Sequence, residues 1–409
     1  MERKLINELF QNTAYVRMGG SPEELKCAKY LAEVCESFGC QAKIEAFDVD
    51  MATIQEAQLI VDGEEITCKG YFNAGSAELE APFYYLAGTD EYSKSLCKGK
   101  IVMIDGYMGY WRYQDLLEYG ALGFITYDGH INYADCDIDQ RELRGYVSKG
   151  VKIPGVNINV KDAVRLVENG AKTAKIILKQ EEYIGKSHNV IVDLPGEVDE
   201  WIVLTAHYDS TSLSTGAYDN MSGSIGIMGI LEYFISHTHR RGIRMMLCGS
   251  EERGLLGSKA YVAAHPEEVE KIVLNINLDM IGSIMGKFIA CVTGEERLCH
   301  YIEYFGDEQG FGISVRQDVY SSDSSPFADA GVPAISFARL APNPTGTIHN
   351  SYDTYKLLKD EQMAKDMDFI TAFADRMANA VKMPVKRIMP DSMKEKLDEY
   401  LGRKRPKNA

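Results

Sequence analysis

The sequence lacks the features that mark membrane, secreted and nucleic-acid-binding proteins. No stretch of about 18 residues is free of charged side chains, so no membrane-spanning helix is predicted. The first residues from Met1 contain no apolar core of the kind that a signal peptide needs, which predicts a cytoplasmic protein, and a chain trimmed of its leader would look the same. The formal net charge of −16 disfavours binding to nucleic acid or to anionic lipid.

Cysteine is not arranged as a disulfide framework. The nine cysteines are odd in number and form no Cys-x-x-Cys pair. We therefore predict reduced thiols that mostly pack as small apolar side chains. With 409 residues, of which 45% are apolar and 25% charged, the chain has ordinary globular composition and room for two or three domains.

Short apolar runs alternate with amphipathic segments in the second half of the chain. The runs cover residues 190–194, 202–206, 243–248, 272–278 and 332–337. Strands that are apolar along their whole length are typical of sheets that are covered on both faces. The pattern therefore predicts an α/β fold in which a mostly parallel mixed sheet is sandwiched by helices.

The residue pattern changes twice, which divides the chain. From about residue 54, a hairpin with an Asp62-Gly63 turn and several short strands and helices form a β-rich module of domain size. We predict a catalytic domain made of residues 1–53 and 187–385, with an inserted domain at 54–186. Residues 386–409 are predicted to form a C-terminal helix and a basic tail.

Acidic and histidine residues follow the predicted strands at the points where the strands end. They are His207, Asp209, Glu251, Glu252 and Asp279; His349 follows the run 332–337 through a loop rich in proline and glycine, and Asp219 stands just before a predicted helix. Ligands of open α/β sheets bind outside the carboxyl ends of the strands, so we expect these side chains to meet at one edge. Carboxylates packed so densely repel one another unless a cation neutralises them. Histidine with carboxylates suits zinc, with manganese or cobalt as substitutes.

The number of these side chains favours two metal ions. One shared carboxylate, together with one histidine and one further carboxylate for each ion, gives three protein contacts per ion and leaves a shared position for water. Because adjacent side chains diverge, one of Glu251 and Glu252 can bind metal while the other faces the water as general base.

These residues stand in segments that resemble the motifs of the co-catalytic zinc exopeptidases, which include leucyl aminopeptidases, aminopeptidase Y and glutamate carboxypeptidase. The segments are residues 207–210, 219–220, 249–258, 277–282 and 349–354. The likeness covers about residues 186–385, and the runs Glu-Glu-Arg-Gly-Leu-Leu-Gly-Ser and Asn-Leu-Asp-Met-Ile-Gly are specific together. The middle module, with Gly-Lys-Ile-Val at 99–102, is similar to a protease-associated (PA) domain, which many members carry as an insertion.

The resemblance implies a role for each matched position. His207 and Asp279 would hold one zinc ion, Glu252 and His349 would hold the other, and Asp219 would bridge them.

Two further roles follow from the same resemblance. Glu251 would be the general base and then the proton donor, and Asp209 would orient His207. The family also tends to have a cis peptide after the bridging aspartate. Two departures affect the expected shape of the substrate pocket: Tyr218 stands where the family often has an acid, and the segment around Asp323 lacks a histidine that the family often shows.

The implied activity is that of a metal-dependent exopeptidase, with an aminopeptidase acting on peptides with a free N-terminus as the leading hypothesis. A carboxypeptidase or a glutaminyl-cyclase-like enzyme on the same fold is the alternative. A carboxypeptidase needs cations for the substrate carboxylate, and Arg316 and Arg339 are available without forming a cluster. A non-catalytic, receptor-like relative is a third hypothesis, which the intact set of matched ligands disfavours. The sequence makes no prediction of the oligomeric state.

Overall fold

The computed structural model describes residues 1–132, 138–343 and 345–406. Cys136 and the last three residues of the predicted basic tail lie outside them. The chain divides into two compact units. The larger unit comprises Met1–Asp48 and Lys186–Lys404, and the smaller unit comprises Val49–Gly185 with Arg405 and Pro406.

The α-helices are α1 (Arg3–Asn12), α2 (Pro22–Ser37), α3 (Glu91–Ser95), α4 (Tyr110–Glu118), α5 (Gly145–Ser148), α6 (Val160–Glu168), α7 (Ser222–Ser236), α8 (Leu256–Ala264), α9 (Pro266–Lys271), α10 (Glu296–Gln309), α11 (Ser324–Asp329), α12 (Asp360–Asn379) and α13 (Asp391–Tyr400). A short π-helical turn at Ala217–Met221 and a 3₁₀ turn at Tyr355–Leu357 complete the helical segments that the structure describes.

The strands are β1 (Ala42–Val61), β2 (Glu64–Ile66), β3 (Cys68–Gly70), β4 (Ala77–Leu86), β5 (Ile101–Ile104), β6 (Gly123–Asp128), β7 (Gly155–Asn159), β8 (Thr173–Leu194), β9 (Val198–His207), β10 (Arg241–Cys248), β11 (Ile272–Leu278), β12 (Lys287–Thr293), β13 (Ser314–Gln317) and β14 (Ala334–Leu340).

The larger unit contains a mixed sheet in the order β13-β12-β14-β11-β9-β10-β8. Neighbours in its centre, β14 with β11, β11 with β9 and β9 with β10, are parallel, as are β12 and β13. The pairs β12–β14 and β8–β10 are antiparallel. The predicted α/β fold with a large mixed sheet is therefore confirmed.

Helices cover both faces of this sheet. Ile202 and Leu204 of β9 pack in a core cluster with residues of α7 and α12, whereas Val203 packs in a second cluster with Tyr261 of α8. Successive side chains of a strand point to opposite faces. Burial on both faces explains why these strands read as continuous apolar runs in the sequence.

Several strands differ from their predicted bounds. Strands β8, β9 and β10 begin before the runs 190–194, 202–206 and 243–248, and β14 is shifted along the chain. The apolar run at 332–337 predicts a strand, but β14 begins at Ala334 and continues to Leu340. Pro333 has no amide hydrogen to donate to a neighbouring strand, so regular pairing begins after it. The run 272–278, by contrast, coincides with β11.

The smaller unit is built around its own core and a second set of paired strands. The order is β8-β4-β5-β6-β7-β3, in which β4, β5, β6 and β7 run parallel to their neighbours and the outer pairs are antiparallel. The predicted hairpin is confirmed, since β1 pairs antiparallel with β2. Asp62 and Gly63 at its turn have φ values of 48° and 87°, as a turn of this type requires.

No helix among the described residues is long and apolar enough to cross a membrane.

Candidate metal centre

Three neighbouring parallel strands carry site residues at their carboxyl ends. His207 is the last residue of β9, Asp279 follows the last residue of β11, and the pair Glu251 and Glu252 follows β10 by two residues. Because β9 lies between β10 and β11, these ends are adjacent. The sheet therefore brings together the side chains that the sequence predicts to meet.

Six of the predicted side chains form two groups of potential metal ligands. In each group, one nitrogen or oxygen atom from each of three residues lies within 4.8 Å of the others. The strand group contains His207, Glu251 and Asp279; the loop group contains Asp219, Glu252 and His349.

The carboxylate of Asp219 lies between the two histidines. Its Oδ1 atom is 3.2 Å from Nε2 of His207, and its Oδ2 atom is 3.0 Å from Nε2 of His349. A second carboxylate lies near the same nitrogen of each histidine: Oδ1 of Asp279 is 3.9 Å from Nε2 of His207, and Oε2 of Glu252 is 3.2 Å from Nε2 of His349. One carboxylate thus faces both halves of the site.

Asp209, which is fully buried, connects three parts of the site. Its two oxygens accept hydrogen bonds from the backbone amides of Glu251 (3.0 Å) and Glu252 (3.3 Å). Oδ1 also lies 3.5 Å from Nδ1 of His207, which is longer than a good hydrogen bond. Besides facing His207, where the resemblance places it, Asp209 holds the backbone that presents both glutamates.

Sequence reasoning missed the part that Asn220 plays. Its Nδ2 donates to the carbonyl of Leu278 (2.8 Å), and its Oδ1 accepts from the amides of Gly223 (3.0 Å) and Met280 (2.9 Å). Asn220 therefore ties the start of α7 to the end of β11, next to Asp279. The peptide bond between Asp219 and Asn220 is cis, as the resemblance implies.

Asp353 lies in the matched segment 349–354, for which the sequence predicts no role at this position. It is fully buried, and its carboxylate accepts hydrogen bonds from the backbone amides of Tyr218 (2.7 Å) and Asp219 (3.1 Å). Its position four residues after His349 was the available signal, but only the fold shows what it contacts.

Burial and crowding perturb the ionisation of the centre. Burial raises the pKa of Asp279 to about 7 and that of Glu251 well above its usual range, with neighbouring carboxylates adding to the effect. Burial also opposes ionisation of Asp219, but the two imidazoles outweigh it and lower that pKa. For His207, burial alone would lower the pKa, yet the charge of Glu251 and contacts with Asp209 and Asp219 raise it well above the usual value. Full ionisation of all the carboxylates is therefore unfavourable unless a cation joins them.

The residues fit a metal centre. Imidazole nitrogens and carboxylate oxygens are the donors that zinc and related ions take in proteins. Oδ1 of Asp279 is buried and has no hydrogen-bond partner among the described residues. An unpaired buried carboxylate oxygen is unfavourable, and a cation facing it would relieve that.

Comparison with known proteins agrees with this geometry. Residues 189–374 match the family model described as Peptidase family M28. This segment contains all seven predicted site residues. Together with its aminopeptidase relatives, the match shows that the chain is an enzyme, a metallopeptidase of the hydrolase class.

Two curated relatives illustrate the sequence likeness. Aminopeptidase YwaD of Bacillus subtilis is 26% identical over 386 residues, which cover 90% of this chain and 82% of the relative. Leucine aminopeptidase 2 of Trichophyton rubrum is 33% identical over 159 residues, which cover 36% of this chain and 32% of the relative.

Solved structures share the fold over nearly the whole chain. A zinc aminopeptidase from Bacillus subtilis matches with a TM-score of 0.76 at 24% identity, covering 95% of this chain and 97% of that one. An aminopeptidase from Aneurinibacillus sp. strain AM-1 also has a TM-score of 0.76, at 22% identity, with 94% and 96% covered.

Proposed function

We propose that the protein is an aminopeptidase that binds two zinc ions and hydrolyses the first peptide bond of peptides with a free N-terminus. The observation that carries the proposal is the position of the Asp219 carboxylate, whose Oδ1 lies next to Nε2 of His207 and whose Oδ2 lies next to Nε2 of His349. The relatives named as aminopeptidases, one of them a zinc enzyme, support the same conclusion.

The ligands divide between the two ions as the resemblance implies. His207 and Asp279 would hold one ion, Glu252 and His349 would hold the other, and Asp219 would serve both. Bound divalent ions would polarise the peptide carbonyl and lower the pKa of a water molecule between them. Manganese or cobalt would serve as substitutes because they accept the same nitrogen and oxygen donors.

Glu251 is the proposed general base. Its side chain is 11% exposed, so it can face a substrate in the cleft, and its backbone amide is held by Asp209. Glu251 accepts a proton from the attacking water and then donates it to the nitrogen of the leaving amine, so that the enzyme returns to its starting state. The distance of 3.9 Å between Oε2 of Glu251 and Nε2 of His207 supports a position of Glu251 next to the attacking water.

The arrangement of cations favours an aminopeptidase over a carboxypeptidase. Arg339 donates to the carboxylate of Asp366 and to the carbonyl of Gly286, so its guanidinium is already committed within the protein. Arg316 is exposed on the edge strand β13. The acidic centre instead attracts the positive α-amine of a peptide.

The smaller unit, by its sequence resemblance, is proposed to be an inserted PA domain that shapes access of substrates.

The test combines metal analysis with substrate panels. Protein purified without added metal is analysed by mass spectrometry and then assayed on aminoacyl chromogenic substrates before and after chelation. We expect about two ions per chain and activity that chelation removes and zinc restores. Cleavage of amino-blocked dipeptides in preference to carboxy-blocked ones would indicate the carboxypeptidase alternative. Failure to bind metal after zinc is supplied would contradict the ligand assignment.

A further inference from the structure

Among the proposed metal ligands, His349 is the one whose position depends least on the strands of the sheet. It lies eight residues beyond the start of a loop that follows β14, and its side chain is 45% exposed, whereas that of His207 is 1% exposed. Its backbone φ is 61°, in the left-handed region, which a histidine keeps only when its surroundings hold it there. Contacts elsewhere in the loop must therefore fix His349.

Tyr218 holds the beginning of this loop through its side chain. The Tyr218 hydroxyl donates to the carbonyl of Arg339 (2.6 Å) and accepts from the backbone amide of Ala341 (3.0 Å). The tyrosine is 3% exposed, so water does not compete well for these two backbone groups. One hydroxyl thus satisfies both a carbonyl and an amide at the point where β14 ends.

The same residue holds the end of the loop through its backbone. The amide of Tyr218 donates to Asp353 (2.7 Å), and the next amide, that of Asp219, donates to the other carboxylate oxygen (3.1 Å). Thr215 also donates to the carbonyl of Asp353 (2.8 Å). Both ends of the segment that carries His349 are therefore attached to the two residues Tyr218 and Asp219.

We infer that Tyr218 and Asp353 are positioning residues that hold His349 against Asp219. They would tune the affinity of the second metal position, proposed at Glu252 and His349, without affecting the first, proposed at His207 and Asp279. This inference rests on the proposed two-ion function. It gives Tyr218 a role at the place where the sequence departs from the acid that the resembling family often has. The mechanism acts through the backbone of the loop, since the Tyr218 hydroxyl reaches Arg339 and Ala341 rather than a ligand side chain.

The first experiment measures the loop without metal. Hydrogen exchange of the backbone amides of Ala341 and residues 345–352 is compared in metal-free wild type and Tyr218→Phe. Loss of the hydroxyl leaves the amide of Ala341 without its partner, while the carbonyl of Arg339 keeps only the hydroxyl of Ser283 (3.0 Å). We therefore expect roughly tenfold faster exchange in the loop. Unchanged exchange in these amides would overturn the inference.

Tyr113 of the smaller unit provides a matched control. Its buried hydroxyl likewise donates to one carbonyl, that of Val151 (2.9 Å), and accepts from one amide, that of Ile153 (3.0 Å). Tyr113→Phe removes the same two hydrogen bonds away from the metal centre. It should lower thermal stability as Tyr218→Phe does and leave the exchange of the His349 loop unchanged.

The second experiment titrates metal-free protein with zinc in the presence of a competing chelator. His349→Ala identifies the binding step that belongs to the second position. We expect Tyr218→Phe to weaken that step roughly tenfold and leave the other within about twofold, and Tyr113→Phe to change neither. Asp353→Asn, which places an amide group opposite two backbone donors, should repeat the selective loss and replaces Tyr218→Phe if that variant does not fold.

The outcomes separate this inference from the proposed function. If wild type binds two ions and Tyr218→Phe weakens both steps equally or neither, the positioning role is wrong. If wild type binds fewer than two ions while the loop still loosens in Tyr218→Phe, the two-ion function fails and the restraint of the His349 loop stands.

Discussion

The two groups of candidate ligands are built in different ways. The strand group takes His207 and Asp279 from the ends of adjacent buried strands, where ladder hydrogen bonds and core packing fix the backbone. The loop group depends on His349, which is exposed and is held by hydrogen bonds from residues outside its own segment. A ligand at a strand end is positioned by the fold itself, whereas a ligand on a loop needs dedicated contacts.

Glu251→Gln gives the largest expected effect and tests whether the strand group contains two ligands or three. If Glu251 is the general base, the variant loses turnover by roughly 10²- to 10⁴-fold, because an amide cannot accept the proton. Metal content should stay at the wild-type value. Steady-state kinetics measures the turnover, and metal analysis measures the number of ions per chain. A loss of one ion would instead make Glu251 a ligand of the strand group.

Replacing each histidine compares the two groups directly. His349→Ala should remove the second ion and leave the first, because the strand group keeps all its members. His207→Ala should weaken both ions, because the lost imidazole is buried and no water can replace it beside Oδ1 of Asp219, whereas His349 is exposed and water can take its place beside Oδ2. We expect each removed ligand to lower affinity by more than about a hundredfold, beyond the usual loss for an outer-shell partner. Equal losses in the two variants would contradict the difference between the groups.

Asp209→Asn tests the connection between the groups. The variant keeps the shape but can present only one acceptor oxygen to the amides of Glu251 and Glu252. We expect a loss of roughly 10- to 100-fold in metal affinity or in turnover. Since Asp209 faces His207 of the strand group and holds the backbone amide of Glu252 of the loop group, both binding steps should weaken. Asp193→Asn, on the exposed side of β8 where Asp193 pairs with Arg244, serves as a charge-matched control and should change neither step.

Gly223→Ala gives the smallest effect and probes the packing behind the strand group. A Cβ atom there would lie 2.4 Å from the carbonyl oxygen of Leu278 and from Oδ1 of Asn220. Because the carbonyl belongs to the backbone of β11, α7 must shift away from the strand end. We expect a destabilisation of about 1–3 kcal/mol, measured by chemical denaturation, with weaker metal binding at the first step. Unchanged stability would show that this contact adjusts freely.

The difference between the groups also explains which parts of the fold and of the site could be predicted from the sequence. The apolar run 272–278 predicts β11 at its observed bounds, and the residues after β9, β10 and β11 were predicted to meet because parallel strands end at one edge. The hydroxyl of Tyr218 could not be placed from sequence, since the loop that it contacts returns from more than a hundred residues away. Local periodicity determines strands and helices, whereas loop conformation depends on tertiary contacts.

The same limit applies to the arginines. From sequence, Arg339 was available to bind a substrate carboxylate. Its buried pairing with Asp366, a residue of α12 with no special sequence context, removes it from that role. The partner of a charged side chain is a property of the folded chain, and sequence alone does not name it.

The exposure of His349 has a kinetic consequence. An ion released from the second position would have a short route to water, while an ion held by His207 would be enclosed by buried groups. Exchange with the medium would then proceed through the outer position first, and a purified sample would pass through a half-loaded form during dialysis. The specific activity of a preparation would report the free metal concentration of its last buffer.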